Sequence, residues 1–222
     1  MRNLLKKHNR YFHDRNFVVA LVMSLVFLAI ALIVDIYANT YAVEKASNAV
    51  ADIFLSNIQP FNVGWIFAYG AIVFWIIIIF LGIIEPRRFP FALKSVALFV
   101  FIRSIFITLT HVGPFPTQII PADPSYIIQK AVLGADLFFS AHTGLPFLMA
   151  LVFWENRRIR IFCIISSVFF GMIALLGHFH YSIDVLSAFF ITYAIYRLAE
   201  KFFKKDRVLF LHGIPEVDSV NV

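Results

Sequence analysis

Charge is scarce in this chain. Asp, Glu, Lys and Arg make up 14% of its 222 residues, against about a quarter in an ordinary soluble domain. Hydrophobic residues make up 61%, well above the roughly half of soluble proteins. They gather in several runs of roughly 18 or more, the length that crosses a bilayer. A soluble domain is thereby excluded, and a multi-span membrane protein is expected. Cysteine is nearly absent. Cys163 stands alone in the middle of an apolar run, so no intrachain disulfide forms. No small-residue cleavage site follows the first apolar run, which is too long for a signal peptide and reads as a retained span. The chain has neither internal repeats nor low-complexity stretches. A basic face is also missing. The net charge of +6 comes from cations that flank apolar spans, which points to membrane topology and away from nucleic acid.

Apolar segments divide the chain as follows. Residues 1–16 carry Arg2, Lys6, Lys7, Arg10 and Arg15, a basic amphipathic lead-in suited to an anionic membrane surface. Six spans are expected over 17–199: Phe17–Tyr37, Val63–Ile84, Phe91–Val112, Leu137–Trp154, Ile161–Gly177 and Tyr181–Leu198. A polar connection, Ala38–Asn62, separates the first two and has room for a short interfacial helix. The turn Glu85–Pro90 stops the second, since proline cannot donate to the helix ladder. Between the third and fourth spans, Pro124–Val132 suits another short interfacial helix. A basic and polar tail fills 200–222. The expected fold is all-α, a polytopic membrane protein with six transmembrane helices in one bundle.

Charge orients that bundle. Sixteen Lys and Arg residues fall in the N-terminus, Glu85–Lys94, Glu155–Arg160 and the stretch from Arg197 onward. Only Lys45 and Lys130 fall in the alternate connections, and Arg103 lies inside a span. The positive-inside rule then makes both termini cytoplasmic.

With that topology, His111, His142, His178 and His180 all belong to the extracytoplasmic half, whereas His8, His13 and His212 lie in cytoplasmic segments. The stretch Gly177–Val185 holds the densest chemistry. On a helix, His180 and Asp184 stand at i and i+4 and share one face. A carboxylate there can accept the proton of one imidazole nitrogen and leave the other as nucleophile or base. The bland reading is a pair that satisfies its own hydrogen bonds between helices. Ionisable groups inside a span are costly, however, and default to function. Phosphoryl transfer fits: His180 attacks phosphorus, and His142 protonates the leaving oxygen. His142 lies in the first turns of its span, where free N–H groups favour an anion. Arg103 neutralises a phosphate oxygen through its planar fork. Asp136, Ser140, Thr143, His178 and Tyr181 are the remaining candidates to line the substrate site. Each has a plainer role available. Arg103 can snorkel or pair with Asp136. Ser140 and Thr143 can bond to the preceding turn, and His111 and His178 can be supporting polar residues.

At these residues the sequence resembles the type 2 phosphatidic acid phosphatase superfamily, and more closely its sphingomyelin synthase branch. The family's last motif, H-Y-[ST]-x-D-V-x-x-A-x-x-x-T, is matched by His180, Tyr181, Ser182, Asp184, Val185, Ala188 and Thr192. His178 repeats the branch's extra upstream histidine. The D-x-x-x-S-G-H-T motif is met by Asp136, Ser140, Ala141, His142 and Thr143, with alanine in place of glycine. Arg103, Thr108, Thr110, Pro114 and Pro116 resemble the arginine, Thr-rich and P-x-P region. The resemblance covers roughly residues 95–197. It implies His180 as nucleophile, Asp184 as its orienting partner and His142 as general acid, with no metal or other cofactor.

Two motifs of the superfamily's phosphatases, K-x6-R-P and S-R-x5-H, are absent; Ala174 stands six residues before His180. A phosphomonoester is nearly dianionic and wants several cations, whereas a phosphodiester carries a single charge. The expected reaction is therefore movement of a phospho-headgroup from a membrane phospholipid to a lipid hydroxyl (ceramide or diacylglycerol) or to water, on the extracytoplasmic side. Two rivals stand beside it. One is a lipid phosphate phosphatase of the same superfamily. The other is a non-enzymatic membrane protein whose histidines and aspartates hold a metal ion.

Overall fold

The computed structural model describes residues 2–119 and 137–214, with side chains from residue 8 onward. The described residues are helical, without strands. We number the helices α1 (Arg2–His13), α2 (Arg15–Lys45), α3 (Gly64–Ile84), α4 (Phe89–Leu109), α5 (Ala141–Val152), α6 (Arg157–Leu176), α7 (Ser182–Phe202) and α8 (Lys204–His212). The caps are legible locally. Asp14 accepts from the Phe17 N–H at 2.7 Å to open α2, and Asn156 accepts from the Ile159 N–H at 3.2 Å to open α6. Both satisfy donors that a helix start leaves unpaired.

Among the described residues, five segments are long and apolar enough to cross a membrane: α2, α3, α6, α7 and Pro86–Leu109, which joins a short 3₁₀ turn to α4. The expected span Leu137–Trp154 is different. Only its 12 residues Ala141–Val152 are helical, a rod of roughly 18 Å at 1.5 Å per residue. Residues 137–140 enter as irregular backbone, tolerated at depth because protein surrounds it and supplies partners. The first span also differs. Helix α2 continues to Lys45, so the expected interfacial helix after it gives way to a continuous rod and a turn near residues 53–57. The stretch Pro124–Val132 lies outside the described residues.

Small residues govern how the rods meet. Ser24, Ala31 and Ala38 recur every seven residues on α2 and, with Ala42, form its buried stripe, which lets α4 lie close alongside. Gly144 of α5 serves the same end: a Cβ there would stand 2.8 Å from the Phe99 ring and from Thr192 Oγ1. Around these contacts Phe74, Phe99, Phe139, Leu148, Met149, Phe170 and Ile195 form the main core.

The two ends of the bundle are chemically distinct. At one end α1, the turn Pro86–Arg88, the turn after α5 and α8 come together. Arg87 donates to the Leu211 carbonyl, Arg207 to the Val152 carbonyl, and Lys94 pairs with Asp206 at 2.7 Å. The four basic segments of the sequence meet there. At the other end, the segment after α2 meets the segments that follow α4 and precede α7, through Ser47 N–H to the His111 carbonyl and Ser182 N–H to Asp52. That end carries His111, His142, His178 and His180.

Candidate active site

Four residues, Leu137–Ser140, organise the site. The Leu137 carbonyl lies 3.0 Å from His180 Nδ1, the Phe139 carbonyl accepts from Arg103 Nε at 3.0 Å, and the Ser140 N–H donates to the Asp184 carbonyl at 3.1 Å. One strand of irregular backbone thus touches the arginine of α4, the histidine before α7 and the first turn of α7. Phe139 achieves this with a positive φ of 26°, uncommon for a non-glycine residue, and its fully buried ring packs edge-on against Phe99 and Phe106.

His180 is 7% exposed and precedes α7, which begins at Ser182. The helical i,i+4 premise is therefore corrected: His180 is not on the helix that carries Asp184. Asp184, at the third helical position, accepts from the Tyr181 N–H at 2.9 Å and so closes the helix start. It stands 3.7 Å from His180 Nδ1, beyond hydrogen-bond reach. The hydrogen bond that orients the ring goes to the Leu137 carbonyl. A carbonyl only accepts, so Nδ1 carries a proton, and in the neutral ring Nε2 holds the lone pair. Asp184 supplies negative charge beside the same ring edge.

His142, in the first turn of α5, lies against Phe67 of α3 with ring centroids 3.7 Å apart and planes 25° from parallel. Phe67 also stands 6.3 Å from the His180 ring and 4.9 Å from Phe179. It is the shared wall of the two histidines. Ser140, the N-cap of α5, is fully buried, and its hydroxyl has no partner among the described residues. It opens the helix beside His142, and the N–H groups of a helix start favour an anion. Thr143 faces another way. It is fully buried, its carbonyl accepts from Ser167 at 2.7 Å, and its hydroxyl lies toward Gly171 of α6.

Arg103 is 5% exposed, and its closest carboxylate among the described residues is Asp35 of α2, at 3.9 Å. Asp35 also accepts from Asn39 and Ser104. Asp136, the partner weighed from the sequence, lies outside the described residues. The signal for Asp35 was present: a carboxylate inside an otherwise apolar run is expensive and functional by default. No comparable signal marks Phe67, one of 27 phenylalanines.

The remaining candidates brace the site. Tyr181 donates to the Gly113 carbonyl at 2.8 Å and accepts from the Val50 N–H at 3.2 Å, tying three segments together. A Cβ on Gly113 would overlap the Ser47 carbonyl oxygen, so only glycine lets these strands meet. His178 takes a left-handed φ of 56°, pairs with the Thr117 hydroxyl at 2.6 Å and meets the Phe115 ring edge-on. Burial pushes its pKa below the usual imidazole value, with the Ile58 carbonyl and Asp52 opposing, so the ring is neutral at neutral pH. His111 stands apart, against Tyr41 of α2. Among the described residues no three His, Cys, Asp or Glu side chains gather as a metal would require.

Asp52 is the unexpected member. It is 7% exposed and accepts from the N–H groups of Phe54, Leu55 and Ser182, the last at 2.7 Å. Burial raises its pKa, but those hydrogen bonds outweigh burial and hold the carboxyl below its ordinary value of 3.8. A lowered native pKa stabilises the fold fully above the ordinary value and loses that effect as pH falls through the lowered one. Asp52→Ala strands three donors and, at about 1 kcal/mol or more per lost partner, costs roughly 2–4 kcal/mol. Thermal unfolding at neutral pH is expected to show a clear drop in midpoint, with Asp52→Asn intermediate.

Comparison with known proteins adds one finding. No curated protein and no solved structure matches the chain. Residues 134–201, which hold Ser140, His142, His178, His180 and Asp184, match the family described as PAP2 superfamily C-terminal, so this third of the chain is similar to a superfamily whose membership supports a phosphatase or phosphotransferase acting on lipid-like substrates.

Proposed function

We propose that this is a six-span membrane phosphotransferase with cytoplasmic termini, working on lipid phosphoesters from the extracytoplasmic side. The observation that carries the reading is the hydrogen bond from His180 Nδ1 to the Leu137 carbonyl. It commits the tautomer and aims the Nε2 lone pair, the state a nucleophilic imidazole requires. Nε2 attacks phosphorus, the bond from phosphorus to the leaving oxygen breaks, and protonated His142 delivers its proton to that oxygen. The phosphohistidine that results carries positive charge on its ring, which Asp184 at 3.7 Å stabilises. An acceptor hydroxyl then gives its proton to His142 and takes the phosphoryl group, restoring His180. Arg103, the N–H groups opening α5 and the Ser140 hydroxyl hold the non-bridging oxygens. Tyr181 and His178 shape the site from behind.

Among the described residues Arg103 is the one buried arginine, which suits a phosphodiester better than a dianionic monoester. We therefore favour transfer of a phospho-headgroup from a phospholipid to ceramide, diacylglycerol or water, as in the sphingomyelin synthase branch. The test is purified protein in lipid, offered labelled phosphatidylcholine, phosphatidylethanolamine and phosphatidic acid with and without ceramide. Products are resolved by mass spectrometry. Diacylglycerol together with a headgroup-bearing acceptor is expected. Free phosphate from phosphatidic acid alone would instead make the protein a lipid phosphatase of the same superfamily.

A further inference from the structure

Helices α3 and α6 do not close against each other along their lengths. Between them runs an apolar groove of about 370 Å³, bounded by Trp65, Gly70 and Ile77 on α3 and by Phe162, Phe169 and Phe170 on α6. Three observations say what it holds. First, it joins the catalytic candidates: Phe170, in its wall, lies 6.3 Å from the His142 ring, and Phe67, one turn before Gly70, stacks on the same histidine. Secondly, its depth suits one leaflet. From Trp65 to Ile77 the helix rises roughly 18 Å, close to half of the ~30 Å hydrocarbon core. It begins at the end of the bundle where the histidines lie. Thirdly, its floor is made by the absence of a side chain. A Cβ on Gly70 would stand 3.0 Å from the Phe170 ring, so glycine lets the ring lean in and leaves the space above it open.

We propose that this groove is a binding site for one acyl chain of a phospholipid, drawn from the leaflet on the His142 side, with the headgroup directed to His142 and His180. The inference rests on the lipid-phosphoester reading above and adds where the lipid lies. The groove has apolar walls and opens at the outer face of the two helices, and Phe170 in its wall packs beside His142, so a chain slides in sideways without leaving hydrocarbon. No polar group on the lipid is dehydrated until the headgroup reaches the site. Trp65, 59% exposed at the mouth, stands at the depth where an amphipathic ring meets headgroups.

The test uses the full chain in phosphatidylcholine vesicles doped with a phosphatidylcholine that carries a diazirine midway along one chain. After illumination, labelled peptides are mapped by mass spectrometry. Labelling is expected to concentrate on residues 65–77 and 162–170. Gly70→Leu fills the floor and, by removing about two buried methylenes' worth of contact, lowers that labelling roughly tenfold. Val73→Trp narrows the mouth from a position 56% exposed, where folding is not at stake, and lowers it as well. Labelling spread evenly over the lipid-facing helices, or unchanged in both variants, overturns the proposal. Groove labelling without any His180-dependent lipid turnover leaves the groove standing and removes the enzymatic reading instead.

Discussion

His180→Asn is expected to lower turnover by at least about a thousandfold, since loss of the proposed nucleophile removes the whole proposed two-step route. Asparagine keeps a donor near the Leu137 carbonyl, 3.0 Å from the native Nδ1, so the fold around the site persists. The informative measurement is a trapped intermediate. Acid-labile, base-stable label on the wild-type protein after brief exposure to a phosphate-labelled lipid, absent in His180→Asn, identifies the phosphohistidine. His142→Asn separates the roles. Without the general acid the first step slows by about 10²–10⁴-fold, while a substrate with a good leaving group, which needs no proton, loses much less. Undiminished turnover in His180→Asn would end the proposed mechanism.

The second large effect belongs to Arg103. Arg103→Ala strips the Phe139 carbonyl of its donor and leaves Asp35, a carboxylate within α2, without its cation at 3.9 Å. Arg103 is buried but the Asp35 side chain is 26% exposed, so breaking the pair costs less than breaking a fully buried one, and with the stranded Phe139 carbonyl we expect about 1–3 kcal/mol of lost stability. Activity is expected to fall further than stability explains, by about a hundredfold, because the proposed cationic partner of the developing charge is gone. Arg103→Lys does not restore it: an ammonium cannot serve the Phe139 carbonyl and a phosphate oxygen with the geometry of a planar fork. Asp35→Asn provides the control. Removing both charges in Asp35→Asn/Arg103→Gln is expected to cost less stability than Arg103→Ala alone, yet to leave activity equally low. A double variant as unstable as the sum of its parts would show that the two residues do not act as a pair.

Much of this arrangement follows from the linear chain, for identifiable reasons. A membrane helix satisfies its own backbone, so long apolar runs announce themselves; α2, α3, α4, α6 and α7 overlap the runs expected for them. The basic segments cluster at one end of the bundle, as their alternation along the chain requires. His142, His180 and Asp184 sit in motifs dense enough to be singled out, and they fall within the stretch matched by the family.

What the linear chain could not supply is what folding alone brings together. Leu137 and Phe139 act through backbone carbonyls, and a carbonyl is the same on every residue; only the path of residues 137–140 makes these two matter. That path also shortens α5 to 12 residues, because backbone bonds go to Arg103, His180 and Asp184 in place of a helical ladder. Asp184 was legible as a partner of His180, but the start of α7 at Ser182 turns it into a helix-closing carboxylate with an electrostatic role. Asp35, Asp52 and Phe67 lie 68, 130 and 75 residues from their partners Arg103, Ser182 and His142. No local pattern ties such distant positions together, and their pairing was decided where α2, α3 and the segment between them meet the end of the bundle that carries the histidines.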